Sequence, residues 1–185
     1  MLEEFIEVVD AAKIYLGVPL GDWSEETVRR VVDLLKRQKP YLAGYFGASQ
    51  CVEELVSGTL CVAQAWNGDI LYAMEEEPAA RYMLPEEGVK AWVDFMVIPI
   101  GAEEVELAHA WANFHAGARD LRDELPVRVL RVPLRREVVS RYLPADVLGN
   151  EAIHPPPGTR LLFSEPLTEE ELAILGEITL EVKGG

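Results

Sequence analysis

Apolar residues recur at helical spacing from the start of the chain. Phe5, Ile6, Val8, Val9, Ala12 and Leu16 form one stripe within residues 2–16, and Gly17 and Pro19 close it. Val28, Val31, Val32 and Leu35 form a second stripe, predicting a helix over 25–38 that follows Asp22 and stops before Pro40. Residues 41–46 read as a strand. Residues 47–58 read as a loop and a short helix with Gly58 at its C-cap. The apolar run 60–65 has strand length, Asn67-Gly68 is a turn signal, and 70–75 has room for one or two helical turns. Pro85-Glu86-Glu87-Gly88 is a second turn, leading into a strand that carries Trp92 and Asp94. Strand, turn, helix and strand in succession is α/β grammar.

Further on, 102–116 predicts a helix whose apolar side is Val105, Leu107, Ala108, Trp111, Ala112 and Phe114. Valine and leucine then alternate with arginine through 127–138, the pattern of an exposed strand, and Arg128, Arg131, Arg135, Arg136 and Arg141 concentrate positive charge there. A solvated face is the ordinary explanation of such a cluster. Pro155-Pro156-Pro157-Gly158 is a rigid connection. Thr168 and Glu171 make a capping box for a closing helix over 169–175. Residues 178–182 either continue it or form a strand, and Lys183-Gly184-Gly185 is a frayed tail.

At 185 residues and 49% hydrophobic, the chain has enough apolar material for a real core. Its 32 acids against 17 bases, a net charge of −15, argue against a nucleic-acid backbone or an anionic membrane surface as partner. A cationic ligand is permitted. No apolar run is long enough to span a bilayer, and no charged n-region precedes an apolar h-region. Either an export signal has been removed and the protein is extracytoplasmic, or the start is genuine and it stays in the cytoplasm. Cys51 and Cys61 suit either a disulfide or two buried thiols, and the free, buried form is expected. His109, His115 and His154 have no ligand spacing, so neither metal nor other cofactor is expected. The chain lacks a Ser-centred elbow, a Gly-rich phosphate loop and a cysteine beside a histidine, so it does not read as an enzyme.

The stretch from Cys61 to Ile98 concentrates the candidate chemistry. Trp66 ends the first predicted strand. Trp92 and Asp94, two apart, share one face of the last. An ammonium held against an indole gains roughly 0.5 to 2 kcal/mol, and a carboxylate adds a charge-assisted hydrogen bond. Burial alone would also account for both indoles. Glu4 and Glu7, three apart, share one face at the start of the first helix, where acids are ordinary.

AWNGD at 65–69, LPEEG at 84–88 and AWVDFMVIP at 91–99 resemble, in order and spacing, segments of the periplasmic spermidine/putrescine-binding proteins of ABC transporters. EEVELAHAWANF at 103–114 and NEAIHPPP at 150–157 extend the resemblance, as does residues 4–17, similar to the first helix of that family's second lobe. The resemblance implies an α/β fold like the second lobe of a type II periplasmic binding protein, a mixed sheet flanked by helices with the first lobe largely missing. It implies a second-lobe domain over 1–92, a hinge crossing and first-lobe segment over 93–142, and a return to the second lobe over 143–185. Trp66 and Trp92 would sandwich a polyamine's methylene stem, and Asp94, Glu4 and Glu7 would take its ammonium groups. The implied partners are a polyamine and an ABC transporter permease. Arg131-Val132-Pro133 and Leu161-Leu162-Phe163 stand where the family has other ligand contacts, and so depart from it. An isolated lobe would bind weakly. The apolar helix over 102–116 would need cover from a second copy or a separately encoded first lobe. The alternative is an oligomerisation or protein-interaction module with no ligand.

Overall fold

The computed structural model describes residues 1–116 and 149–184. It is helix-rich with one small parallel sheet. The chain divides into two units: Met1–Trp92 with Pro157–Gly185, and Val93–Pro156.

The first unit is built on three helices. α1 (Phe5–Leu16) ends on Gly17, whose φ of 69° is the left-handed conformation that glycine adopts without a Cβ penalty. α2 (Glu25–Gln38) is capped by the Ser24 hydroxyl, which accepts from the Thr27 N–H. Asp22 supports the cap, accepting from the Ser24 N–H at 3.0 Å and the Thr27 hydroxyl at 2.7 Å. These bonds hold the Asp22 carboxyl down at a pKa of about 2. The last helix, here α6 (Glu169–Gly184), opens with the expected capping box: Glu171 accepts from the Thr168 N–H at 2.8 Å, and the Thr168 hydroxyl accepts from the Glu171 N–H at 3.3 Å. Phe5, Val8, Val9 and Ala12 of α1 meet Val31, Val32 and Leu35 of α2 and Ile178 and Val182 of α6 in one buried cluster. Each fully buried valine or leucine contributes on the order of 1.5 to 3 kcal/mol. This cluster makes α6 one continuous helix: Ile178 and Val182 are four apart and lie on its buried face, so the strand alternative for 178–182 is not realised. Nor is Lys183 a frayed end, since its ammonium lies 5.0 Å from the Phe5 and Tyr45 ring centroids.

α3 (Ala48–Val56) and α4 (Asn67–Glu76) pack on each other through Cys51, Val52, Ile70, Leu71 and Ala73. β1 (Val89–Ala91) and β2 (Leu161–Phe163) pair in parallel, Lys90 opposite Leu162. The turn ahead of β1 closes as expected, with the Gly88 N–H donating to the Pro85 carbonyl. Gly88 has φ 120°, and a Cβ there would stand 2.7 Å from Leu162 Cδ1 and 2.9 Å from the Arg160 carbonyl oxygen, so only glycine lets β2 approach.

Several predicted strands are absent. Residues 41–46 contribute one bridge, Leu2 with Phe46, after a 3-10 turn at Lys39–Tyr41. Residues 60–65 form no strand and join no ladder, with a bend at Cys61. Val62 is 85% exposed and Cys61 is also exposed, so of the two thiols only Cys51 is buried. Strand-length apolarity forms a strand only where a partner's backbone is available, and this segment is instead tied to α1 through the side chain of Gln64, while the Leu60 N–H donates to the Glu54 carbonyl. Asn67-Gly68 starts α4 instead of making a separate turn. The strand carrying Trp92 stops at Ala91.

In the second unit, α5 (Val105–Ala116) starts three residues later than predicted. Val105, Leu107, Trp111 and Phe114 are exposed, and the Trp111 and Phe114 rings stack at 6.1 Å. Asn150 organises a turn that buries Ala152 and Ile153, its side chain accepting from the Ala152 N–H at 3.0 Å. The arginine-rich stretch over 127–138, with Arg141, lies outside the described residues.

Candidate functional site

The N-terminal strand bridge fixes the entry to α1. Glu3 N–H donates to the Phe46 carbonyl, Phe46 N–H to that of Met1, and the Met1 ammonium to that of Gly44. Glu4 therefore enters the helix from an anchored segment. It occupies the N-cap, yet its side chain makes no capping bond. Its Oε2 is buried and has no hydrogen-bond partner. Buried polar atoms are rarely left so, and a charged one is costly.

Asp69 lies in the first turn of α4, three residues after Trp66, the N-cap residue. Burial raises its carboxyl pKa above the usual 3.8, and the nearby negative charge of Glu4 raises it further. Asp69 thus feels the charge of Glu4 from a separate element while itself partly buried. In the AWNGD segment Trp66 is the expected ligand residue, and the structure adds Asp69 at the same helix start. The signal is an acid just ahead of the helical turns expected at 70–75, which the structure extends back to Asn67 so that Asp69 falls in the first turn.

Trp66 sits at the N-terminus of α4, half-buried, and not at a strand end. Gln64, two residues before it, ties this segment to α1: its Oε1 accepts from the Leu2 N–H at 3.3 Å and its Nε2 donates to the Glu7 carbonyl at 2.9 Å. Trp92, just past β1, is half-exposed. Asp94 is exposed and belongs to the other unit; with β1 ending at Ala91, the predicted shared strand face of Trp92 and Asp94 does not form.

Glu7 is occupied. Lys90 of β1 donates to Glu7 Oε1 at 2.8 Å, and its Nζ lies 2.7 Å from Asp10 Oδ2. Burial disfavours the Lys90 charge, but the bonds to Asp10 and Glu7 outweigh it and raise its pKa above 10.5, so it is an ammonium at any ordinary pH. Among the described residues no cluster of His, Cys, Asp and Glu is arranged to hold a metal ion, and no helix is long and apolar enough to cross a membrane. An open concavity of about 630 Å³ lies on the α2 side, lined by Leu16, Arg30, Asp33, Lys36 and Arg37, and none of the candidate residues contributes to it.

The sequence matches the family of bacterial extracellular solute-binding proteins over residues 4–123. It is 31% identical over 119 residues to the putrescine-binding periplasmic protein SpuD of Pseudomonas aeruginosa, an overlap covering 61% of this chain and 32% of that protein. The spermidine/putrescine-binding periplasmic protein 1 of Haemophilus influenzae is 24% identical over 155 residues, 84% of this chain and 42% of that one. The putrescine-binding periplasmic protein PotF of Escherichia coli is 26% identical over 164 residues, 83% of this chain and 43% of that one. The chain thus spans less than half the length of these relatives. With the family matched over well more than half of its residues, this chain belongs to the bacterial extracellular solute-binding proteins.

Proposed function

We propose that this chain is a non-enzymatic solute-binding component of an ABC-type polyamine transport system, taking an organic cation of the putrescine or spermidine class outside the cytoplasm and working with a transporter permease. The observation that carries this reading is the buried, unpartnered Oε2 of Glu4, a carboxylate whose negative charge also helps to raise the Asp69 pKa. A ligand ammonium set against these two carboxylates supplies the missing hydrogen bond and offsets their repulsion. Trp66, at the start of the helix that carries Asp69, gives the ligand's methylene stem an apolar surface. The putrescine and spermidine binding for which these relatives are named supports the ligand class. Trp92, of the same unit, joins the site in the complete form of this reading, in which residues 1–92 and 143–185 are a second lobe and 93–142, with Asp94, a hinge crossing with a first-lobe segment. Glu7 takes no ligand ammonium while Lys90 holds it.

A site walled on one side leaves much of a small ligand in water, so binding by the chain alone is weaker than about 10 μM. Calorimetry with putrescine tests this. Weak, saturable heat that vanishes in Glu4→Gln and Asp69→Asn supports the reading, and submicromolar affinity from a monomer or heat unchanged in both variants refutes it.

A second reading, an interaction module, draws on α5, whose Leu107 and Trp111 are 65% and 59% exposed. Apolar patches of this kind mark association surfaces, supporting a second copy or a separately encoded lobe as partner. Sedimentation at several concentrations separates a monomer from an assembly.

A further inference from the structure

Glu7 and Asp10 stand three apart on α1, so they share one face and repel. Lys90 brings one ammonium to both, at 2.8 and 2.7 Å, the lengths of charge-assisted contacts. The three side chains are 16%, 18% and 2% exposed for Lys90, Glu7 and Asp10. Glu4, with its unpartnered oxygen, lies one turn before Glu7 on the same helix end. The region therefore presents two acidic places side by side: one already holding an ammonium, the other holding none among the described residues. Beyond its Cα, lysine is a butylammonium, chemically the same as one end of a 1,4-diamine. Lys90 is two residues before Trp92, on the strand that delivers that indole.

We propose that Lys90 is a specificity-determining residue, a tethered ammonium that fills the Glu7–Asp10 place which a second amine of the ligand would otherwise occupy. This inference rests on the polyamine reading above and deepens it. The first unit then accepts one ligand ammonium, at Glu4 and Asp69, and the extra charge of a triamine gains nothing from it. A merely structural tie between β1 and α1 predicts something different: loss of Lys90 would weaken the fold and no small amine would repair it.

The test compares the full chain with Lys90→Met, which keeps the apolar stem and removes the charge. Removing one partner of a buried ion pair destabilises by leaving the other uncompensated. The double variant Lys90→Met/Asp10→Asn, which removes one charge of each sign, is therefore made alongside it. Thermal unfolding is followed with n-butylamine, and with sodium chloride and tetramethylammonium at matched ionic strength. Calorimetry follows putrescine and spermidine. In the native chain the two polyamines bind with affinities within about threefold of each other. In either variant spermidine gains about tenfold over putrescine, a change of about 1.4 kcal/mol, and n-butylamine raises the unfolding midpoint where the control salts do not. Variants that respond alike to n-butylamine and to the salts, with an unchanged spermidine-to-putrescine ratio, overturn the proposal. If the native chain binds putrescine and the variants gain nothing, this inference fails alone. If the native chain binds neither polyamine, the reading of Glu4 and Asp69 fails and the specificity role of Lys90 fails with it, even where n-butylamine restores Lys90→Met.

Discussion

The side-chain amide of Gln64 donates to the backbone carbonyl of Glu7 at 2.9 Å while accepting from the Leu2 N–H at 3.3 Å. One side chain thus joins the segment leading to Trp66 with the start of α1, where Glu4 is the N-cap and Glu7 lies in the first turn. Gln64→Leu keeps the volume and strips both bonds. Leaving the backbone groups unsatisfied costs about 1 to 3 kcal/mol, so urea unfolding of this variant shows a lower midpoint, and putrescine affinity falls with it. An unchanged midpoint contradicts the positioning role.

Asp69 carries the pH dependence. Its folded pKa lies above the 3.8 of the unfolded chain because burial, then the Glu4 charge, oppose ionisation. Between 3.8 and the raised value the folded state binds the extra proton, so acidification through that window adds stability and raising the pH removes it. Binding of an ammonium runs the other way. It favours ionised Asp69 and releases the proton, so affinity declines as pH falls through the same window. Asp69→Asn removes the contribution of this carboxyl to both slopes, measured by calorimetry in buffers of different ionisation heat and by unfolding against pH.

Gly88→Ala is predicted to separate β1 from β2. The new methyl meets Leu162 Cδ1 at 2.7 Å and the Arg160 carbonyl oxygen at 2.9 Å, and the residue's φ is 120°. Strain of this backbone type alone is worth about 1 to 3 kcal/mol. Denaturant titration therefore shows a loss of at least that size, and amide exchange accelerates first at Val89, whose N–H donates to Arg160.

Leu35, 2% exposed at the meeting of α1, α2 and α6, is a core position without a role at the candidate site. Leu35→Ala is expected to cost about 2 to 5 kcal/mol. Its ligand affinity per folded molecule should stay unchanged, which separates loss of fold from loss of site.

The helices were legible in the sequence because their signals are local. The stripe through Val31, Val32 and Leu35, the reciprocal box of Thr168 and Glu171, and the glycines after α1 and α3 act within a few residues. The strands were not, because residues 60–65 and 41–46 needed partners that no local pattern reveals. Trp66, Glu4 and Glu7 were legible as chemistry, but their surroundings were not. Nothing in the sequence pairs Lys90 with Glu7 across 83 residues or sets Asp69 near Glu4. The first comes from the packing of β1 against α1, and the second from the placement of α4.

The central claim is that Glu4 and Asp69 together hold an organic ammonium. Carboxyl-carbon NMR of both residues during a putrescine titration tests it most directly, read against sodium chloride at equal ionic strength. The predicted result is a saturable shift at both carboxylates, sharing one midpoint concentration, with the Asp69 pKa falling toward 3.8 as the site fills. Shifts that match those produced by the salt, or an Asp69 pKa that stays raised at saturating putrescine, contradict it.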